Sequence, residues 1–364
     1  MSQSMPMSED NPPPTQALGA SVTEIPVVQE PESGQKLLQF LQRRLNLPQA
    51  MLHRWVRTGQ VRINGSRCKP FSRVQTGDTV RLPPFAMKMA AQCDSASPTP
   101  ASKGQSKDDA PEDGPPLPPL VGKSGYLWAF DKPAGLPVHP GTGHEDSLTT
   151  RLSCHFAGAS FMPTPVHRLD RGTSGIILVA ASYAALDETQ RALRANAMHK
   201  EYVAWVAGRW PHTQTCLVRH FLRKEAVDGF ERVRPVKADA PDAKEALCLV
   251  RALSIADRAS LVQVRLLTGR THQIRVQLSS LGHPVLGDTK YGQTRAGVAL
   301  YLHSLRVILP EGPSFTCLPS WSGPRALTAL PESIPYSLPA SPPPSCPDGA
   351  FPLGEDAATI SLLH

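Results

Sequence analysis

The chain predicts an α+β protein, on three observations. Short β-branched or alternating runs recur, such as Ile176-Ile177-Leu178-Val179-Ala180 and Leu261-Val262-Gln263-Val264-Arg265-Leu266-Leu267. Stretches with helical spacing lie between them, joined by long connections. The 38 prolines of the 364 residues concentrate in three tracts that mark off the rest. Each tract has too few large apolar residues to offset the entropy of ordering. A disordered tail over 1–33, a flexible linker over 85–120 and a disordered tail over 329–364 are therefore expected. They leave a small domain at 34–84 and a large one at 121–328.

In the small domain Leu37, Leu38, Leu41 and Leu45 recur at helical spacing, and Pro48 opens a second helix with Met51, Leu52, Trp55 and Val56 on one face. Gly59 ends it. Val61-Arg62-Ile63 alternates as a strand, Asn64-Gly65 is a tight-turn dipeptide, and Gly77-Asp78 leads into a strand over Thr79 to Leu82. In the large domain Leu127 to Phe130 reads as a buried strand, broken by Lys132-Pro133 and Gly135, and Ser147 to His155 has a helical cast. Tyr183 to Arg194 is a helix with Leu186 and Leu193 two turns apart. Val203 and Trp205 alternate with Tyr202, Ala204 and Val206 as a strand. Thr271 is placed to cap a helix carrying Ile274, Leu278 and Leu281, which Gly282 ends.

The formal net charge of +7 is unevenly placed. Between Gln35 and Leu82 ten Lys or Arg face one acid, Asp78. A polyanionic partner follows, nucleic acid above all, with a solvated basic face as the alternative. Seven scattered cysteines with no Cys-x-x-Cys argue against a disulfide framework or a zinc site and fit a reducing compartment. His139, His144, His155 and His167 match no metal-ligand spacing, and Gly141-Thr142-Gly143 lacks the Lys-Ser/Thr of a phosphate loop. No apolar run reaches membrane-spanning length, and no secretory pattern opens the chain. A soluble, cytoplasmic protein without metal or cofactor is expected.

The most informative stretch is His167-Arg168-Leu169-Asp170-Arg171-Gly172-Thr173-Ser174-Gly175, which runs straight into the strand Ile176 to Ala180. Neighbouring guanidinium groups favour an ionised Asp170, available as nucleophile or base without a metal. Taken alone, the same pattern also suits a structural ion pair, the commoner outcome.

His-Arg-Leu-Asp-x-x-Thr-Ser-Gly before an apolar strand resembles the signature of the RluA family of pseudouridine synthases. Three further blocks resemble that family in the expected order: Asp131 to Pro140, Lys200-Glu201-Tyr202-Val203-Ala204-Trp205-Val206-Ala207-Gly208, and Thr268-Gly269-Arg270-Thr271-His272-Gln273-Ile274-Arg275 continuing through Gly282 to Asp288. The resemblance implies two sheet-based subdomains around a central cleft, and isomerisation of uridine in RNA without a cofactor. It implies Asp170 as catalytic carboxylate and Tyr202 as the ring stacked on the uracil, its hydroxyl near the C5 proton. Arg275 is implied as the partner that keeps Asp170 charged, and Arg168 as the side chain that enters the RNA helix when the base leaves. His167, Arg270, His272, Gln273 and Ile274 complete the implied substrate-binding set. An ordinary core aromatic for Tyr202 and an exposed helix arginine for Arg275 are the plainer alternatives. The family often has Asp or Glu where Gly172 stands.

The small domain is similar to the S4 RNA-binding domain, most clearly in Gly59 to Gly65 and Gly77 to Val80. That resemblance nominates Arg43, Arg44, Arg54, Arg57 and Arg62 as RNA-backbone contacts, which supply affinity and register more than sequence information. The combined expectation is a monomeric enzyme of structured RNA, with neither DNA nor membrane as partner. Large-subunit ribosomal RNA is favoured by the S4-like domain, and transfer RNA is the nearest rival. An RNA-binding protein that has lost its activity is a competing class, opposed by the intact Asp170, Tyr202 and Arg275. A glycoside-cleaving enzyme would require a second catalytic carboxylate, which the matched blocks do not nominate.

Overall fold

A computed structural model describes residues 23–25, 27–95, 115–141, 146–227, 230–292 and 298–335. The chain divides into two compact units, 1–103 and 104–364.

In the first unit α1 (Leu37–Leu45) and α2 (Gln49–Arg57) turn their apolar faces inward. Leu37, Leu41, Leu45, Leu52, Trp55 and Val56 are all buried in one cluster. Asn46 ends α1 in the left-handed conformation (φ 48°). An antiparallel sheet of order β1-β4-β2-β3 completes the unit, with β1 Thr23–Ile25, β2 Arg62–Ile63, β3 Ser66–Arg67 and β4 Val80–Leu82. Left-handed Asn64 and Gly65 make the β2–β3 turn. The Asn64 side-chain amide donates to Asp78 Oδ1 at 2.8 Å and fixes that turn against β4.

Two boundaries of this unit differ from the sequence expectation. Thr23–Ile25 pairs with β4, and Val28 and Glu32 are buried, so ordered chain begins inside the stretch expected to be a disordered tail. The physical reason is Glu32, whose carboxylate takes two bonds from Arg44, at 2.6 and 2.9 Å. Residues 86–95, expected to begin the linker, form α3 (Ala86–Ser95). Ala86 and Ala90 pack on the unit's core, and the Ala/Met-rich composition favours helix. The rest of the linker up to 114, the first 22 residues and residues 336–364 lie outside the described residues.

The second unit is built on one mixed sheet of eleven strands. In chain order its elements are β5 Leu120–Ser124, β6 Leu127–Lys132, α4 Leu148–His155, β7 Thr164–Pro165, β8 Ser174–Ala180, α5 Tyr183–Arg194, β9 His199–Ala207, β10 Cys216–Val227, β11 Phe230–Val236, β12 Lys244–Ile255, β13 Ala259–Leu266, α6 Gln273–Ser280, β14 Leu302–Ile308 and β15 Ser314–Thr316. The spatial order is β11-β10-β12-β13-β9-β14-β8-β6-β5, with β15 beside β14 and β7 beside β8. The resemblance implied two sheet-based subdomains. Strand β14, which pairs antiparallel with β9 and parallel with β8, joins the two halves by hydrogen bonds into a continuous sheet. Strand β8 is covered on both faces: Ile177 and Val179 enter one core cluster, Ile176, Leu178 and Ala180 another. That explains its uninterrupted apolar run.

Residues 331–335, expected to start a disordered tail, dock on the sheet. Ile334 is buried against Leu217, Leu247 and Leu249. Beside it, β9, β13 and β14 present charged side chains to one buried network. Glu201 pairs with Arg306 at 2.6 Å and accepts from Ser333 Oγ and from the Ile334 N–H. Arg265 donates to the Ile334 carbonyl at 2.6 Å, and Arg306 to that of Pro331 at 2.8 Å. Buried charges need such partners, and the segment's backbone provides them.

Candidate active site

The middle of the sheet, where β9, β14 and β8 meet, positions the candidate residues. Asp170 opens a tight turn closed by the Thr173 N–H on its carbonyl at 3.0 Å. Gly175 follows at φ +101°, and a Cβ there would lie 2.3 Å from the Ser304 carbonyl oxygen. Only glycine allows β8 to approach β14 this closely. Gly172, where the family often carries an acid, lies under Leu300, whose side chain would be 3.3 Å from an added Cβ. Below the turn the fully buried Lys132 ammonium donates to the carbonyls of Pro133 (2.9 Å), Leu136 (2.8 Å) and Arg171 (3.3 Å). Burial pushes it down to about 8, against the pull of Asp170 and Asp131.

The guanidinium that reaches Asp170 comes from 105 residues away. Arg275 Nη1 donates to Asp170 Oδ2 at 3.1 Å. Its other edge is held by Asp288, through Nε and Nη2, both at 2.8 Å. Asp288 is buried and also accepts the backbone N–H groups of Lys290 (2.9 Å) and Tyr291 (3.0 Å). Burial opposes the charge of both groups, yet their mutual bonds hold Arg275 above its ordinary value and Asp288 below. The Tyr291 ring supports the guanidinium at 5.2 Å, and its hydroxyl meets His272 Nδ1 at 2.7 Å. His272 Nε2 is 3.7 Å from Asp170 Oδ2, and burial lowers its basicity against the pull of that carboxylate.

The sequence-nominated residues His167, Arg168, Asp170, Tyr202, Arg270, His272, Gln273, Ile274 and Arg275 line a single cleft of ≈ 640 Å³. Their environments differ. Tyr202 is 7% exposed and sits in the core cluster beside Leu169, Ile274 and Leu302, so it borders the cleft while packing as a core aromatic. Burial pushes its phenol well above the ordinary value. His167 accepts the Leu178 N–H on Nε2 at 3.2 Å; burial and the charge of Lys200 push it down to about 4. Arg168 is exposed at the rim. The Arg270 guanidinium donates to the Glu245 carbonyl at 2.8 Å. Ile274 is buried.

The cap expected from Thr271 does not form. Helix α6 starts at Gln273 behind a left-handed His272 (φ 53°) and has no side-chain cap. The Gln273 amide folds back, accepting from the Arg270 N–H and Thr268 Oγ1 at 2.9 Å each and donating to the Leu247 carbonyl at 3.0 Å. Asp288 and Tyr291 were missed as site residues. Asp288 stands in the third matched block, and that membership was the one sequence signal that could have pointed to it.

In the first unit Arg54 and Arg57 are exposed on the last turn of α2, and Arg43 is exposed on α1. Arg62 donates to the Gly65 carbonyl at 3.2 Å. Arg44, nominated with them, is engaged by buried Glu32, which corrects its reading as a free backbone contact.

Among the described residues one group has metal-ligand atoms within 4.8 Å of one another: Asp131, His303 and Cys317. Both His303 nitrogens are already engaged, with Ser174 Oγ at 2.9 Å and the Cys317 carbonyl at 2.8 Å. Burial and Asp131 push the Cys317 thiol up to about 12, far from a thiolate ligand. This geometry suits a hydrogen-bonded support for β8 and β14 rather than an ion. His144 lies outside the described residues.

A family model described as RNA pseudouridylate synthase matches residues 126–280. The ribosomal large subunit pseudouridine synthase C of Haemophilus influenzae is 35% identical over 269 residues, 73% of this chain and 78% of that protein. The protein of the same name from Vibrio cholerae is 34% identical over 269 residues, 74% of this chain and 80% of that protein.

Proposed function

Because this chain belongs to the RNA pseudouridylate synthase family and so isomerises uridine in RNA, we propose that its target is large-subunit ribosomal RNA and that Asp170 carries the reaction. The isomerisation breaks N1–C1′, turns the uracil and joins C5 to C1′, while the C5 proton is lost and N1 gains one. Atoms and electrons balance within the nucleotide. The step needs an ionised carboxylate beside the ribose or the base and a path for the C5 proton.

The observation that carries the residue assignment is the Asp170–Arg275–Asp288 chain of bonds, which holds the carboxylate that lines the cleft. Arg275 orients the carboxylate through a charge-assisted bond at 3.1 Å. Tyr202, on β9, borders the same cleft, which supports its role as the ring that stacks on the uracil, and burial keeps its hydroxyl protonated. The exposure of Arg168 at the rim supports its role as the side chain that occupies the RNA stack when the base swings out. The ribosomal target is supported by the names of the relatives and by the basic first unit. Its two helices followed by a small sheet suit an S4-like RNA-binding role, with Arg43, Arg54, Arg57 and Arg62 as contacts. No helix among the described residues is long and apolar enough to cross a membrane. A cytoplasmic site of action follows from the proposed substrate.

The test is pseudouridine mapping on transcribed 23S ribosomal RNA incubated with wild type and with Asp170→Asn. Wild type is expected to convert discrete uridines, and Asp170→Asn none, with RNA binding retained. Conversion confined to transfer RNA would overturn the target, and an active Asp170→Asn would overturn the role of the carboxylate.

A further inference from the structure

One wall of the cleft carries cations that the chemistry at Asp170 does not use. Strand β9 runs His199-Lys200-Glu201-Tyr202, so Lys200 and Tyr202 share a face while Glu201 turns to the other and meets Arg306. Lys200 lines the cleft, as do Arg194 and Asn196 at the end of α5. Its Nζ lies 3.3 Å from where a Gly269 side chain would begin, so the absence of a side chain at 269 makes room for the ammonium. Its charge is felt by the buried His167 ring next to it.

Among the described residues no carboxylate forms an ion pair with Lys200, Arg194, Arg168 or Arg270. The one acid that lines the cleft, Asp170, is bonded to Arg275. Lys200 is thus a partly buried ammonium without a counter-ion, and burial alone lowers its basicity. Such a group gains from an incoming anion, because the anion restores what desolvation removed. A nucleotide in this cleft brings that anion as the phosphates on either side of its ribose.

We propose that Lys200, assisted by Arg194, binds a backbone phosphate next to the isomerised uridine and so anchors that nucleotide in the cleft. The inference rests on the RNA isomerase reading. It adds a phosphate subsite to the base-reacting centre, on the same strand as Tyr202 and two residues from it. Arg168 and Arg270 continue the cationic rim on either side.

The experiment uses the full chain carrying Lys200→Met, Lys200→Arg or Arg194→Gln, with transcribed 23S ribosomal RNA under single-turnover conditions. Affinity should fall about tenfold in Lys200→Met and about threefold in Arg194→Gln, the worth of one charge-assisted bond or less. The slope of log affinity against log salt should shrink by about 0.7–0.9 for each phosphate left without its cation. Lys200→Arg, which keeps the charge, should recover most of the affinity and of the salt slope. Arg194 is exposed, so its variant keeps the test valid if Lys200→Met does not fold. An unchanged affinity and salt slope in Lys200→Met and Arg194→Gln overturns the proposal. Loss of the saturated rate with affinity intact also overturns it, since Lys200 would then act on the base. A wild-type protein that leaves every uridine unchanged would instead remove the RNA isomerase reading itself.

Discussion

Asp288 shows what one side chain contributes to a site it does not enter. It is buried, and both its oxygens bond Arg275, while Asp170 takes the remaining bond of that guanidinium at 3.1 Å. Replacing it by Asn keeps the shape but removes the charge and one of two acceptor atoms. Arg275 would then be free to turn toward Asp170 or away from it. Asp288→Asn is expected to slow the saturated single-turnover rate about tenfold to a hundredfold, the worth of one or two charge-assisted bonds, with RNA affinity near wild type. A rate within about twofold of wild type would show that Arg275 is positioned by its other partners. Much of this centre was legible in the sequence: Asp170, Tyr202 and Arg275 stand in blocks whose order implies their meeting. Asp288 was not singled out, because a carboxylate after a glycine reads as a turn until the arginine it grips is known. Of the cations near Asp170, Arg168 is exposed at the rim, and the 3.1 Å ion pair is made by Arg275, which arrives from α6.

At the scale of elements, what could be read was what had one clean period. Helices α1, α2 and α5 and strands β8, β9 and β13 were recognised, because apolar residues recur at 3.6 or 2 or form a short β-branched run. Strand β12 was not. Its Lys-Glu-Ala-Leu-Cys-Leu-Val-Arg-Ala-Leu favours helix locally, and pairing with β10 and β13 overrides that preference. The docked segment 331–335 was missed for a related reason. It is stabilised by completing the hydrogen bonds of the buried Glu201, Arg265 and Arg306 side chains, and not by a pattern of its own. Ile334 is the apolar part of that docking and is 1% exposed. Ile334→Ala should therefore lower stability by about 2–3 kcal/mol, in the range of buried Ile truncations, and the melting temperature by roughly 5–10 °C. A melting curve superimposable on wild type would mean that the segment is not held on the sheet in solution.

Across the whole molecule, charge is divided by task. The first unit is rich in cations; it engages Arg44 with the buried Glu32 and leaves Arg54 and Arg57 exposed on one helical turn. In the second unit Arg275 and Arg306, both largely shielded from solvent, are committed to particular carboxylates. A polyanion should therefore gain general affinity from the first unit and a defined position from the second. That separation predicts how the double substitution Arg54→Gln/Arg57→Gln behaves in the full chain. Both side chains are exposed, so the melting temperature should not move. Affinity for 23S ribosomal RNA should fall about tenfold to thirtyfold at physiological salt, and the salt slope should shrink by about 1.4–1.8, the worth of two phosphates. The pattern of uridines converted should be the same as for wild type, because register at the base is set by the cleft. If the slope stays unchanged, the exposed turn of α2 does not touch RNA and the S4-like reading of the first unit fails. If instead new uridines are converted, the first unit selects the site as well as holding the RNA, and the division of labour argued from these ion pairs is wrong.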